Sequence, residues 1–369
     1  MPELYDLLLY RGAETLTLDR LEGMFGPQKD AICVDWVMVG ESIWMFTVRA
    51  GEQPEAHELD ISLGKVSSWI KGNLKAEALR RPNANDRMRK LDALVAPLAT
   101  ASKKEELLIF CPAGMLGALP LHALQIDGNL ILERNPVVYS SSLAVLQHCL
   151  LRRSDRSDNG REVTIIGNPK EDLAAAEESV NAVSKRFNTQ PLLGSAATKS
   201  AFEDKAGSTA IFHYHGHAYF KVEDPLSSAF KMNDTPLTAR IILSLRLVAT
   251  LFVMIACESA QQDIQIGEEP IGLLPMLLLA GTNAAVGTLW RCSDSAGKEF
   301  TEAFYDGMLL QIKETSPDPG KDSLVDIAKA LRNAALEVRK KRPAPYFWAL
   351  FVMHGNWQCS RRSGWLVKD

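Results

Sequence analysis

The chain has 369 residues, 46% hydrophobic and 23% charged, and its 41 Lys and Arg against 45 Asp and Glu leave a net charge of −4. That hydrophobic share excludes a disordered or collagen-like chain. The charge balance offers no basic surplus for a phosphate backbone, so no nucleic-acid partner is expected. At about 150 residues per domain, the length predicts two domains or one large composite unit.

Residues 1–19 carry acids early and no basic stretch before an apolar one, so no secretory signal is expected. Short apolar runs rich in β-branched and aromatic residues predict strands over 32–39, 42–48, 107–111, 163–166, 209–213, 251–256, 284–289 and 347–353. Helical periodicity predicts helices over 87–98, 143–151, 173–187, 200–206, 270–279, 296–311 and 323–340. Alternation of the two predicts an α/β chain with a mostly parallel sheet. Gly40-Glu41 between the first two strands reads as a hairpin, which makes one edge antiparallel.

The charged segment 152–161, with its Asn159-Gly160 turn signal, is the best internal boundary, and 316–321 reads as an exposed loop. The most apolar window, 271–290, is broken by Pro275, Gly281, Thr282 and Asn283, so no membrane span is expected. Six cysteines at 33, 111, 149, 257, 292 and 359 lack paired spacing, which fits a reducing, cytoplasmic setting.

Reactive side chains gather at two strand ends. One run reads Phe212-His213-Tyr214-His215-Gly216-His217, and another ends Ile255-Ala256-Cys257-Glu258-Ser259. In open α/β sheets, sites collect at the carboxyl ends of strands. An imidazole and a thiol on neighbouring units form, in outline, a base and a nucleophile. Each residue alone reads more readily as a core residue, and together they weigh about evenly between core and catalysis. The spacing of His213, His215 and His217 could also hold a metal. Binuclear hydrolases carry an acid where His217 stands, and no later cluster completes a shell, so no metal is expected. His122 reads as structural, and Cys292 as a bystander.

Several segments in order resemble the CHAT domain family, separase-like members of the caspase-fold (clan CD) cysteine peptidases. Ala256-Cys257-Glu258-Ser259-Ala260 resembles S-A-C-E-T-G, and His215-Gly216-His217 resembles A-T-H-G-h. Gly267-Glu268-Glu269-Pro270-Ile271-Gly272-Leu273 is similar to G-E-G-x-x-G-L, and Val286-Gly287-Thr288-Leu289-Trp290 to the V-v-a-S-L-W strand. Residues 112–124 and 345–351 resemble family segments as well, so the likeness runs from Thr17 to Trp357. His213-Tyr214 in place of Ala-Thr, Ser259 in place of Thr and Ala260 in place of Gly depart from the pattern.

The resemblance implies a caspase-like three-layer sandwich around a mostly parallel sheet. A lead segment (1–30) and a degenerate N-terminal half (31–160) would precede a catalytic half (161–369). It implies a cysteine endopeptidase with Cys257 as nucleophile and His215 as acid/base. The amides of Gly216 and Cys257 would form the oxyanion hole, and no cofactor is needed. Asp294 resembles an acid near the family's substrate pocket, where it would favour a basic side chain before the scissile bond; Ser293-Asp294-Ser295 reads equally as a helix cap. Glu258 and His217 are the other expected substrate contacts. Members are usually fused to sensor modules such as tetratricopeptide repeats. A protein substrate is therefore expected, with a regulatory protein partner or fused module. The alternative is a catalytically silent scaffold in signalling.

Overall fold

The computed structural model describes residue 24 and residues 30–152, 162–221, 223–256, 273–314 and 324–360. Residues 153–161, 222, 257–272 and 315–323 lie outside these, and with them nearly all of the expected boundary at 152–161, the expected loop at 316–321 and the start of the helix expected over 270–279.

Eleven strands form one sheet: β1 (Ala31–Val39), β2 (Ser42–Val48), β3 (Glu55–Ser62), β4 (Leu107–Pro112), β5 (Val137–Tyr139), β6 (Glu162–Gly167), β7 (Leu192–Leu193), β8 (Thr209–Gly216), β9 (Leu251–Ala256), β10 (Ala284–Thr288) and β11 (Phe351–Gly355). Their order is β3-β2-β1-β4-β5-β11-β10-β9-β8-β6-β7. The joints at β3/β2, β2/β1 and β11/β10 are antiparallel, and the rest are parallel. The strands from residues 31–139 stand together, and β11 joins them to the strands that follow, with His354 opposite Tyr139.

Burial explains why these runs are strands. β4 and β9 are covered on both faces, so each reads as a continuous apolar run. β2 alternates buried and half-buried residues, as a one-sided strand does. β3 was not legible because its apolar residues are interleaved with Glu55, Glu58 and Asp60.

Helices cover both faces. On one side α1 (Ala174–Arg186), α2 (Asp294–Glu314) and α3 (Ile327–Lys341) pack Val180, Phe300 and Leu331 into a cluster with Ile211, Val253 and Ile255. On the other, Phe202, Ile242 and Leu277 meet Phe212, Phe252 and Met254. This is the three-layer α/β arrangement expected.

Other elements also differ from the sequence reading. Residues 345–348 form a short helix (Pro345–Trp348) before β11, because proline at the first helical position pre-sets its φ. The helix expected over 323–340 starts at Ile327, where the Asp326 carboxylate accepts the Lys329 N–H at 2.9 Å. The helix expected over 87–98 is a short α-turn (Ala84–Met88) and a 3-10 segment (Arg89–Leu94).

Candidate active site

β8 and β9 lie side by side in parallel, with His215 opposite Ile255 and Gly216 opposite Ala256. β8 also pairs with β6, His215 standing opposite Gly167. Pairing with β6 as far as His215 and with β9 as far as Gly216 carries β8 three residues past the expected end at His213. Alternation then sends His213 and His215 to the α2 face, and Phe212 and Tyr214 to the other.

His213 is sealed, its Nδ1 3.2 Å from the Tyr305 hydroxyl of α2. Burial, and then the neighbouring His215, push its imidazole well below the ordinary range. His215 has no exposed surface, and neither ring nitrogen has a hydrogen-bond partner among the described residues. Burial pushes it down to about 3, so it is neutral at physiological pH. Its Nε2 lies 3.7 Å from Asp294 Oδ1, and Gly297 of α2 closes over the ring.

Asp294 is the first residue of α2, and its Oδ2 accepts the Ala175 N–H of α1 at 2.9 Å. Both its oxygens thus face the scaffold. The cap is made by Ser293, whose Oγ accepts the Ala296 N–H at 3.3 Å. Gly216 is required by packing: a Cβ there would lie 2.7 Å from the Tyr214 hydroxyl and 2.9 Å from Pro169 Cδ.

His217 is the first residue past β8, and its side chain is 15% exposed. Its Nε2 lies 3.0 Å from both carboxylate oxygens of Asp172. Its Nδ1 is buried with no hydrogen-bond partner among the described residues. Its carbonyl accepts the Tyr214 O–H at 2.6 Å and the Lys231 N–H at 2.8 Å, which fixes the backbone on which the ring turns. Cys257 and Glu258 lie outside the described residues; Ala256, the last residue of β9, directly precedes Cys257 in sequence.

Asp172, the contact of His217, was not singled out in the sequence. Its one signal was position, in a polar loop at the carboxyl end of a strand beside the histidine strand. Among the described residues, no group of three or more His, Cys, Asp or Glu could hold a metal ion. Nor is any helix long and apolar enough to cross a membrane.

The CHAT domain model matches residues 85–356. The chain belongs to the CHAT domain family. Curated relatives of this CHAT chain are the tetratricopeptide repeat protein 28 of Homo sapiens, 24% identical over 292 residues, and of Mus musculus, 25% identical over 266. These alignments cover 66% and 58% of the chain but 11% and 10% of the relatives, so the chain spans about a tenth of their length. Among solved structures, Saccharomyces cerevisiae separase in its securin complex superposes with a TM-score of 0.66 at 10% identity. That superposition covers 92% of this CHAT chain and 31% of the separase chain. At that identity the likeness is one of fold, the caspase-like α/β sandwich.

Proposed function

We propose that this CHAT chain is a cysteine endopeptidase in which Cys257 is the nucleophile and His215 the acid/base. The observation that carries the reading is His215 at the carboxyl end of β8, with both ring nitrogens unpartnered among the described residues, beside the strand that leads to Cys257. An imidazole that takes and returns protons needs a free lone pair. Burial holds the His215 ring neutral, the form that can accept a proton, and Asp294 Oδ1 lies 3.7 Å from its Nε2. His217 is proposed as a substrate contact.

In this mechanism, a ring nitrogen of the His215 imidazole takes the thiol proton and the thiolate attacks the scissile carbonyl. The imidazolium then returns the proton to the departing amine, leaving a thioester. Water, losing its proton to the same nitrogen, hydrolyses the thioester and frees the thiol. The Cys257 N–H stays in the proposal as an oxyanion donor; the packing of Gly216 already accounts for that glycine. The substrate would be a protein, met in the cytoplasm. Because the relatives are named for tetratricopeptide repeats, a repeat module in cis or in a partner is the proposed regulator.

The test is labelling of the full chain by a thiol-directed activity probe, with a peptide-library cleavage assay alongside. The five described cysteines are all buried, so rapid labelling reports Cys257. We expect labelling and cleavage in the wild type, neither in Cys257→Ala or His215→Gln, and labelling retained in His217→Ala. Labelling that survives His215→Gln but not His217→Ala would move the role to His217. No labelling at all would favour a silent interaction module.

A further inference from the structure

We infer that the arginine-covered turn Pro345–Trp348 is a docking site for an acidic segment of a partner protein. The inference goes beyond the peptidase reading and does not depend on it, since a peptidase and a scaffold would recruit through such a surface alike.

Positive charge is concentrated in two segments. Residues 80–90 carry five Lys or Arg against one Asp, and residues 339–342 read Arg-Lys-Lys-Arg, in a chain whose net charge is −4. The fold brings the two segments together over three consecutive rings. Arg80 Cζ stands 3.9 Å from the ring centroid of Tyr346 and 5.9 Å from that of Phe347. Arg342 Cζ stands 5.4 Å from Phe347, and Arg339 Cζ 5.5 Å from Trp348. All lie within the range of about 6 Å in which a ring face holds a cation.

Pairing within the chain accounts for part of this charge. Arg339 pairs with Glu133, Lys340 with Glu337 and Arg342 with Glu299. Arg80, Arg81 and Lys341 are exposed, and among the described residues none of the three has an ion pair or a side-chain hydrogen bond. Stacking on Tyr346 fixes the plane of the Arg80 guanidinium and leaves its N–H edge free to donate. A guanidinium held in advance loses little freedom on binding, and its paired N–H groups match the two oxygens of a carboxylate. Arg81 and Lys341 add unpaired charge to the two segments that meet here.

The turn stands at the carboxyl end of the parallel strands. Trp290, two residues past β10, donates its Nε1–H to the Tyr346 carbonyl at 3.0 Å. Arg342 holds Glu299 of α2, five residues on from Asp294. A bound acidic segment therefore lies at the same end of the sheet as His215. Tyr346 and Trp348 are buried beneath their guanidiniums, so they offer no open face on which a nucleobase could stack. Carboxylate side chains on a protein are the partner chemistry that this surface fits.

The experiment measures binding of a fluorescein-labelled polyglutamate peptide to the full chain by fluorescence anisotropy, at low and at high salt. The variants are Arg80→Glu/Arg81→Glu/Lys341→Glu, Arg81→Glu/Lys341→Glu and Arg80→Lys. The control is Arg240→Glu/Arg246→Glu/Lys313→Glu, an equal change of charge at exposed residues elsewhere. The double variant is included because Arg80 covers the buried Tyr346 ring, whereas Arg81 and Lys341 cover none. We expect salt-sensitive binding to the wild type, at least about tenfold weaker in the triple variant and weakened in part in the double. Arg80→Lys, which keeps the charge and loses the planar fork, should weaken binding about threefold. The control should keep most of the wild-type affinity. No binding to the wild type, or a loss as large in the control as in the triple variant, would overturn the inference. So would Arg80→Lys binding as the wild type does, or duplex RNA binding more tightly than the peptide. None of these outcomes bears on the peptidase reading, which the thiol probe tests by itself.

Discussion

Gly297 lets α2 pack closely on the sheet beneath the candidate site, and replacing it with alanine sets two effects against each other. Alanine is the better helix former by at most about 1 kcal/mol. The added Cβ, however, would lie 2.7 Å from Ile255 Cγ2 and 3.2–3.3 Å from His215 Nε2 and Cε1. Ile255 belongs to β9 and is fully buried, so its methyl cannot swing aside. Overpacking of this kind costs about 1–3 kcal/mol, which predicts a net loss of about 0–2 kcal/mol for Gly297→Ala. Gly307, on the same helix, is the control: a Cβ there meets only Ala330, at 3.7–3.8 Å, an ordinary contact. Gly307→Ala should therefore gain about 0.5–1 kcal/mol. Urea unfolding of the two variants would separate them by about 0.5–3 kcal/mol; in a melt, about 1–2 °C accompanies each kcal/mol in a chain of this size. Equal stability of the two, or Gly297→Ala the more stable, would refute the close approach of α2 to β9.

Stability should also fall as the pH drops below about 6.5. Burial pushes His122 and His215 down to about 3 and His213 well below its ordinary value, so the unfolded chain binds protons that the folded one does not. Each such histidine contributes a slope of about 1.4 kcal/mol per pH unit once its unfolded form is protonated. Asp35, raised to about 6 by burial, and Asp92 and Asp326, also raised, act in the opposite sense at lower pH. The histidines therefore dominate between about pH 6.5 and 6. Urea titrations across that window should show net proton uptake on unfolding, reduced by His215→Gln, and flat stability there would count against their burial. Just before β4, Glu106 is 4% exposed and accepts Nε and Nη2 of Arg49, the residue after β2, at 2.8 and 3.0 Å and the Lys103 N–H at 2.8 Å. Arg49→Met should cost about 2–4 kcal/mol by leaving that carboxylate unpaired. Adding Glu106→Gln should recover part of the loss, and a single-variant cost below about 1 kcal/mol would contradict the pairing.

The sequence by itself determined the elements whose cause is local. The run Leu251–Ala256 and the helix Leu143–Leu151 were legible to the residue, because a buried strand shows as an unbroken apolar stretch and Ser142 caps that helix through the Val145 N–H. The α/β alternation and the family likeness were equally legible, since both are carried by contiguous segments. What only the tertiary structure decided was where the three histidines sit. Strand length is set by partners, and β8 runs on to Gly216 because β9 pairs with it that far and β6 as far as His215. His215 thereby becomes the last histidine of the strand, under Gly297, and His217 the first residue outside. Gly216 admits the Tyr214 ring and Pro169. Asp172 and His217 stand 45 residues apart, and their contact exists only because β6 is the sheet neighbour of β8. Asp294 likewise read as a pocket acid or a cap, and only the packing of α1, α2 and β8 directs its carboxylate to the Ala175 N–H and His215. Periodicity and composition report which face of an element is buried; which residues of different elements meet depends on strand order, and strand order is a property of the whole sheet.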